Sequence, residues 1–349
     1  MAEYLVTGGC GFIGSHLADA LICQGHKVRI LDDLSTGKRE NAPRESEVII
    51  GDVCDQPLLR RAMAGVDGCF HLAAIASVER SNEDWLGTHR VNLTGTIGVF
   101  DAAREARSTG PVPVVYISSA AVYGDNASVP LQESTATRPL TAYGADKLAT
   151  ELHARIATFV HSVPTIGFRL FNVYGPRQDP SSPYSGVISI FVDRIFNARP
   201  IDIYGDGTQV RDFVYVEDVV SFLIAGMRKP GSQAQVYNVC RGKATSIREL
   251  ADVLFAVCGR NVEVKFRPDR AGDIRTSIGD PAKSTRHFRM HAGTELGMGL
   301  RRTLNTLAPG EYRLSAVGDL AASKFDLLRR DPGVRGHDHG RIRAEPDRR

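Results

Sequence analysis

The chain contains no apolar run of 18 residues, so no segment reads as a membrane-crossing helix. A cleavable leader is not expected either. Met1-Ala-Glu-Tyr4 runs straight into a strand-like segment, and the expected location is cytoplasmic. Cysteine is sparse. The six residues (Cys10, Cys23, Cys54, Cys69, Cys240 and Cys258) form no CxxC pair, which argues against a zinc site, and no metal is expected. Their mostly apolar surroundings suit buried free thiols in a reducing compartment. Excess charge is also lacking. A net charge of +3 over 349 residues leaves no basic footprint for nucleic acid. There are no internal repeats. With 42% hydrophobic and 24% charged residues the composition is that of a globular protein, of two domains or of one large domain with a lobe.

The first half alternates short apolar runs with amphipathic ones. Strands are expected at Tyr4–Val6, Lys27–Leu31, Val48–Ile50, Gly68–Leu72, Val112–Ile117 and Thr165–Phe171. Helices are expected at Phe12–Gln24, Leu58–Ala64, Val91–Ala106 and Ala142–Val160. This alternation implies an α/β fold of Rossmann type, a doubly wound parallel sheet with helices on both faces. The expected division is a dinucleotide-binding domain over 1–174, with the chain returning to it near 201–225 and 236–239. A smaller α/β substrate lobe occupies most of 175–308. It opens with an irregular Pro/Ser/Gly loop and contains the capping box Ser246-Ile-Arg-Glu249 of a helix running to Cys258. Residues 309–349 carry 9 basic and 7 acidic residues, with few apolar ones after 331, and read as a poorly ordered tail.

Gly8, Gly11 and Gly14 form GxxGxxG between the first strand and the first helix. The spacing alone is weak; its position carries the argument. Glycines allow a tight turn and a close approach of backbone to a pyrophosphate, and a helix N-terminus offers N–H groups to the anion. Asp32, 18 residues after Gly14 at the end of the second strand, would accept the ribose hydroxyls of NAD and repel a 2′-phosphate; adjacent Asp33 could share that role. Tyr143 and Lys147 lie at i and i+4 on one helix face. Ser119 follows a buried strand, at the edge where open α/β sheets bind ligands. A phenol is a weak base at neutral pH unless cations, here Lys147 and a nicotinamide, favour its phenolate.

Beyond these features, the segments TGGCGFIGSHL, LDDLSTGKREN, GDV, HLAA, YISSAAVYG, YGADK, RLFNVYGPRQ and GDGTQVRDFVYVEDVV resemble the extended short-chain dehydrogenase/reductase family, in its nucleotide-sugar epimerase branch, over roughly 3–307. The resemblance implies tightly bound NAD, a homodimer built from two helices per subunit, and Ser119, Tyr143 and Lys147 as the catalytic set. It places Phe12, Ile13, Ser35, Thr36, Gly37, Asp52, Val53, Leu72, Ala73, Ala74 and Asn92 on the cofactor, with Gly8, Gly11, Gly14, Asp32 and Asp33.

What the resemblance implies for the reaction turns on Ser119-Ala120-Ala121. Related dehydratases and decarboxylases carry an acidic residue here, and alanine cannot move a proton. What remains is 4-epimerisation of a UDP-sugar. Arg211 and Arg270 match arginines that grip the diphosphate, a task suited to the guanidinium fork. Asn172 matches a substrate-contacting amide. Asp179 stands where glucuronate epimerases carry an arginine, which disfavours a uronate. Ser277 stands where a bulky tyrosine restricts the pocket to plain hexoses, so an N-acetyl group is expected to be admitted.

Overall fold

The computed structural model describes residues 1–179, 186–229, 231, 233–269 and 274–307. The first half follows the expected alternation: β1 (Glu3–Thr7), α1 (Phe12–Cys23), β2 (Lys27–Asp32), β3 (Glu47–Ile50), α2 (Gln56–Met63), β4 (Gly68–His71), α3 (Val78–Glu83), α4 (Trp85–His89), α5 (Thr96–Arg104), β5 (Val114–Ser119), α6 (Ala142–Phe159) and β6 (Thr165–Leu170). After it come β7 (Asn172–Tyr174), α7 (Val187–Phe196), β8 (Ile201–Tyr204), β9 (Val210–Arg211), β10 (Phe213–Tyr215), α8 (Val216–Arg228) and β11 (Gln235–Val239). The last elements are β12 (Thr245–Ser246), α9 (Ile247–Cys258), β13 (Val264–Arg267), β14 (Thr276–Ser277), α10 (Ala282–Phe288) and α11 (Leu296–Leu307).

Seven strands form one parallel sheet in the order β3-β2-β1-β4-β5-β6-β11. Both faces are covered, so neighbouring residues along a strand enter different cores. Val6, Phe70 and Val115 pack in the cluster that includes α1 and α8. Leu5, Cys69 and Val114 pack in the one that includes α2, α5 and α6. That is why the strands read as continuous apolar runs. The strand order reverses between β1 and β4, which opens a crevice beyond their C-terminal ends.

Two expectations are corrected. Residues Ile201–Tyr204 do not rejoin the main sheet; β8 pairs in parallel with β13 instead. Ile201 and Ile203 are buried against α7 and α9, whereas Asp202 between them accepts a hydrogen bond from Arg267 at 2.8 Å. Such alternation suits a ribbon with one apolar face, not a strand covered on both sides. The long helix expected over Val91–Ala106 is instead a π-helical segment, Arg90–Gly95, leading into α5. The Thr96 hydroxyl donates to the Asn92 carbonyl at 2.6 Å, and the Asn92 side chain is drawn away to the backbone of Ile75. A hydroxyl bonded back to the carbonyl four residues earlier often bends a helix, and here it coincides with the bulge.

The capping box of α9 is present as read from the sequence, with Ser246 and Glu249 bonding reciprocally. Four cysteines are buried, Cys54 is half-buried and Cys23 is exposed, all as free thiols. Among the described residues no helix is long and apolar enough to cross a membrane. The expected tail, 309–349, lies outside the described residues.

Candidate active site

The glycine turn lies at the mouth of the crevice. Gly8 has φ +70°, and the Gly11 N–H donates back to its carbonyl at 3.1 Å. A Cβ on Gly14 would lie 2.1 Å from that same oxygen, so only glycine lets α1 come this close. The N-terminus of α1 has no side-chain cap and no acidic residue in its first turn. Its N–H groups and positive dipole end are therefore available to an anion. Phe12 and Ile13 begin that helix and are half-buried.

Asp32 closes the other side of the turn. Its carboxylate accepts the N–H of Cys10 and of Leu34, each at 2.9 Å. Burial raises its pKa above the ordinary carboxylate range, with the Asp33 charge adding to the effect and the two N–H bonds opposing it. A buried, under-compensated carboxylate is a suitable acceptor for ribose hydroxyls. Gly37 passes so close that a Cβ there would meet Asp32 at 2.8 Å. Asp33 is occupied differently: its Oδ1 accepts both the N–H and the hydroxyl of Ser35, at 2.9 and 2.7 Å, which shapes the loop carrying exposed Thr36. Asp52 pairs with Arg90 at 2.7 Å, and Val53 is buried. These residues fit a dinucleotide with unphosphorylated ribose.

Sequence reasoning missed a relay beneath the far wall. The N–H groups of Leu72 and Ala73 donate to the Thr7 hydroxyl, at 3.2 and 3.3 Å. That hydroxyl donates to His71 Nδ1 at 2.7 Å. Thr96 spends its only proton on the Asn92 carbonyl, so it must accept from His71 Nε2–H, at 2.8 Å. The chain of bonds thus sets the imidazole tautomer. Burial first, and the charge of Lys147 second, depress His71 to about 3, which keeps it neutral. Asn92, read as touching the cofactor, is fully buried and bonds both ways to the backbone of Ile75, at 2.8 and 3.0 Å. Its part is to pin the loop that carries Leu72, Ala73 and Ala74. His71 lay inside a quoted motif, and only the paired hydroxyls reveal what it does.

The three residues read as catalytic, Ser119, Tyr143 and Lys147, come together. Ser119 ends β5, and its Oγ accepts the N–H of Ala121 at 3.1 Å. Thr141 caps α6 through the Gly144 N–H at 3.1 Å. A Cβ on Gly144 would stand 2.8 Å from the carbonyl of Ala121, so this glycine lets the helix start press against the serine turn. Tyr143 approaches Ser119 there. Lys147 Nζ donates to the carbonyl of Ile117 at 3.0 Å and lies 5.8 Å from the Tyr143 ring centre. Burial pushes Lys147 down to about 8, opposed by Asp146. It also raises Tyr143, with the Ser119 bond pulling the other way. The protein's own groups therefore leave the phenol protonated. A gain toward phenolate calls for nearby positive charge, from Lys147 and from a cationic cofactor. Behind the trio, Ser118 donates to Glu151 at 2.5 Å, and Arg169 grips both oxygens of Glu151 at 2.8 and 2.7 Å.

On the substrate side, Arg211 and Ser277 are register partners across β9 and β14, so the structure brings these two together. Asp212, fully buried, accepts the N–H of Arg241, Gly242 and Gly279, at 2.9, 2.8 and 3.3 Å, and so ties the surrounding loops to them. Asn172 is exposed on β7. The turn after Ser277 is closed by Asp280, which accepts the Ala282 N–H at 2.8 Å. Arg270 lies outside the described residues. Asp179 is paired with Lys38 at 2.7 Å, so its charge is partly neutralised.

The profile of the NAD dependent epimerase/dehydratase family matches residues 4–240. The chain is 37% identical over 308 residues to the UDP-glucose 4-epimerase of Mycolicibacterium smegmatis, covering 86% of this chain and 96% of that protein. Among solved structures it is similar to the UDP-glucose 4-epimerase of Thermotoga maritima with UDP-glucose, at TM-score 0.83 and 33% identity, covering 87% and 98% of the two chains. It is also similar to the UDP-N-acetylglucosamine 4-epimerase of Methanobrevibacter ruminantium in complex with UDP-N-acetylmuramic acid, at TM-score 0.82 and 35% identity, covering 88% and 98%.

Proposed function

The chain belongs to the NAD-dependent epimerase/dehydratase family, and on that premise we propose that it catalyses reversible C4 epimerisation of UDP-hexoses, N-acetylated as well as plain. The observation that carries this reading is the convergence of Ser119, Tyr143 and Lys147 on a turn whose next two residues are Ala120 and Ala121. Proton transfer to and from one hydroxyl is provided for; elimination, which needs a further acid at that turn, is not.

NAD, when bound, supplies a hydride acceptor that returns the hydride. Tyr143 Oη takes the proton of the C4 hydroxyl, while Ser119 Oγ holds that oxygen by a hydrogen bond. Lys147 holds positive charge beneath the site, fixed to the Ile117 carbonyl. Arg211, with Arg270, holds the diphosphate while the 4-keto sugar turns, and Tyr143 then returns the proton. No net oxidation results, so the cofactor is regenerated each turn.

Acceptance of the acetylated pair is supported by the small Ser277 beside Arg211 and by the N-acetylglucosamine epimerase among the similar structures. The Mycolicibacterium relative favours the second reading, a plain-hexose epimerase. The case against a uronate rests on the missing cation at 179 more than on repulsion, since Lys38 pairs Asp179. A homodimer is supported by Leu152, Ile156 and Phe159 on α6, 58%, 50% and 60% exposed. The deciding experiment is incubation of purified protein with UDP-glucose, UDP-galactose, UDP-N-acetylglucosamine and UDP-N-acetylgalactosamine, without added NAD. Interconversion within each pair is expected. Accumulation of NADH with an oxidised sugar would make the protein a net dehydrogenase.

A further inference from the structure

A buried ion pair lies directly behind the serine turn. Glu151 stands four residues after Lys147 and eight after Tyr143, along the same side of α6. Its Oε1 accepts the hydroxyl of Ser118 at 2.5 Å and the Nε–H of Arg169 at 2.8 Å, and its Oε2 accepts from Arg169 Nη2 at 2.7 Å. Ser118 precedes Ser119 on β5, and Arg169 is its register partner on β6. The guanidinium also lies 4.8 Å from the ring centre of Tyr123, in the turn that follows Ser119. Both charged side chains are only 7% exposed. Two charges out of water are costly, and well-packed apolar side chains often serve stability as well. The pair is better explained by what it joins: α6, which carries Tyr143 and Lys147, and β5 with its turn, which carry Ser119.

We propose that Glu151 and Arg169 are positioning residues for the reaction: bound to each other and to Ser118, they hold α6 against the serine turn at the separation Ser119 and Tyr143 need. This rests on the reading of those two as the groups that act on the C4 hydroxyl. Lys147, on the Ile117 carbonyl at 3.0 Å, is one joint between helix and strand. A single joint leaves the helix free to rock about it. The bond from Ser118 to Glu151, one residue further along β5 and one turn further along α6, is a second joint that opposes this motion. Arg169 fixes the carboxylate in place by holding both of its oxygens. The substrate wall is anchored separately. Arg169 donates to the Glu133 carbonyl at 3.2 Å, but Leu131 and Glu133 also bond to Asn238, at 2.8 and 2.7 Å. Leu131 is further bridged to Ile278 and Asp280, each at 2.8 Å, just past Ser277. Loss of the pair therefore falls on the chemical step and leaves substrate binding in place.

The test compares two variants. Ser118→Ala cuts the second joint and leaves the ion pair intact. Arg169→Met combined with Glu151→Leu replaces both charges by apolar side chains, a change that buried pairs often tolerate without loss of stability. Misplacing reacting groups by about 1 Å can cost about a hundredfold in rate. The double variant is expected to lose about ten- to a hundredfold in kcat, and Ser118→Ala less, with KM and bound NAD held in both. The Ala121 N–H, bonded to Ser119 Oγ at 3.1 Å, reports on the turn itself, and its hydrogen exchange should quicken in both variants. If the double variant does not fold, Ser118→Ala carries the test. A merely structural pair would lower the melting temperature and leave kcat and the Ala121 exchange alone. Wild-type kcat in the folded variants, or unmoved exchange at Ala121, overturns the proposal. The exchange measurement needs no substrate, so it stands or falls separately from the assignment of the reaction, which the wild-type assay with UDP-sugars decides.

Discussion

Adding a single methyl group at Gly14 separates helix propensity from ligand geometry. A Cβ there would lie 2.1 Å from the Gly8 carbonyl oxygen and 2.9 Å from both Gly8 C and Gly9 Cα. All three are backbone atoms and cannot rotate aside. With ordinary contacts at about 3.5 Å, the turn must retreat by more than about 1 Å. The same change at Gly11 makes one contact, 3.2 Å from the same oxygen, which a few tenths of an ångström would relieve. Helix propensity favours alanine over glycine by about 1 kcal/mol inside α1, while overpacking costs about 1–3 kcal/mol. The net loss of stability in Gly14→Ala is thus at most about 2 kcal/mol, and the chain should stay folded. The cofactor loses more. A turn displaced this far carries its N–H groups out of reach of a phosphate, and each charge-assisted bond is worth about 1.5–3 kcal/mol. Losing one or two weakens NAD binding roughly 10- to 10³-fold or more. The assay is the amount of NAD released by heat from purified protein per mole of chain, with the melting temperature alongside. Gly11→Ala should retain most of its NAD and Gly14→Ala little. A fully loaded Gly14→Ala, or equal loss in both variants, would refute the assignment of the turn to the pyrophosphate.

Tyr143→Phe should lower kcat at least about a hundredfold with NAD still bound, because loss of a general base typically costs that much; wild-type turnover would remove the phenol from the mechanism. Ser277→Tyr should suppress turnover of the N-acetylated pair and spare the plain hexoses. A fall in all four on a protein of unchanged melting temperature would show that position 277 is not the gate. His71, held at about 3 against an ordinary 6.5, takes up its proton in the unfolded chain first. The stability tied to it is present above about pH 6.5 and lost as pH falls toward 3, with a slope of up to about 1.4 kcal/mol per pH unit. His71→Gln should flatten the acid-unfolding curve by up to one proton, and an unchanged slope would contradict the neutral tautomer. Leu152→Glu with Ile156→Glu should yield folded monomers by light scattering; an undisturbed dimer would place the interface elsewhere.

Much of this protein is determined locally. The seven strands, the helix after the glycine turn and the capping box of α9 follow from short-range patterns, because apolar periodicity and cap chemistry act within a few residues. Asp32 and the Tyr143/Lys147 pair were readable for the same reason: each is set by its distance from a strand end or by a single helix face. Tertiary structure alone decided the rest. It paired β8 with β13, because Ile201 and Ile203 found their apolar cover on α7 and α9. It tied the Asn92 side chain to the backbone of Ile75, and it set the tautomer of His71 through hydroxyls 64 and 25 residues away. It also placed His89 on Asp146, 57 residues apart. Burial and long-range hydrogen bonds carry no short sequence period, so their effects on charge and tautomer become visible only when the chain is folded.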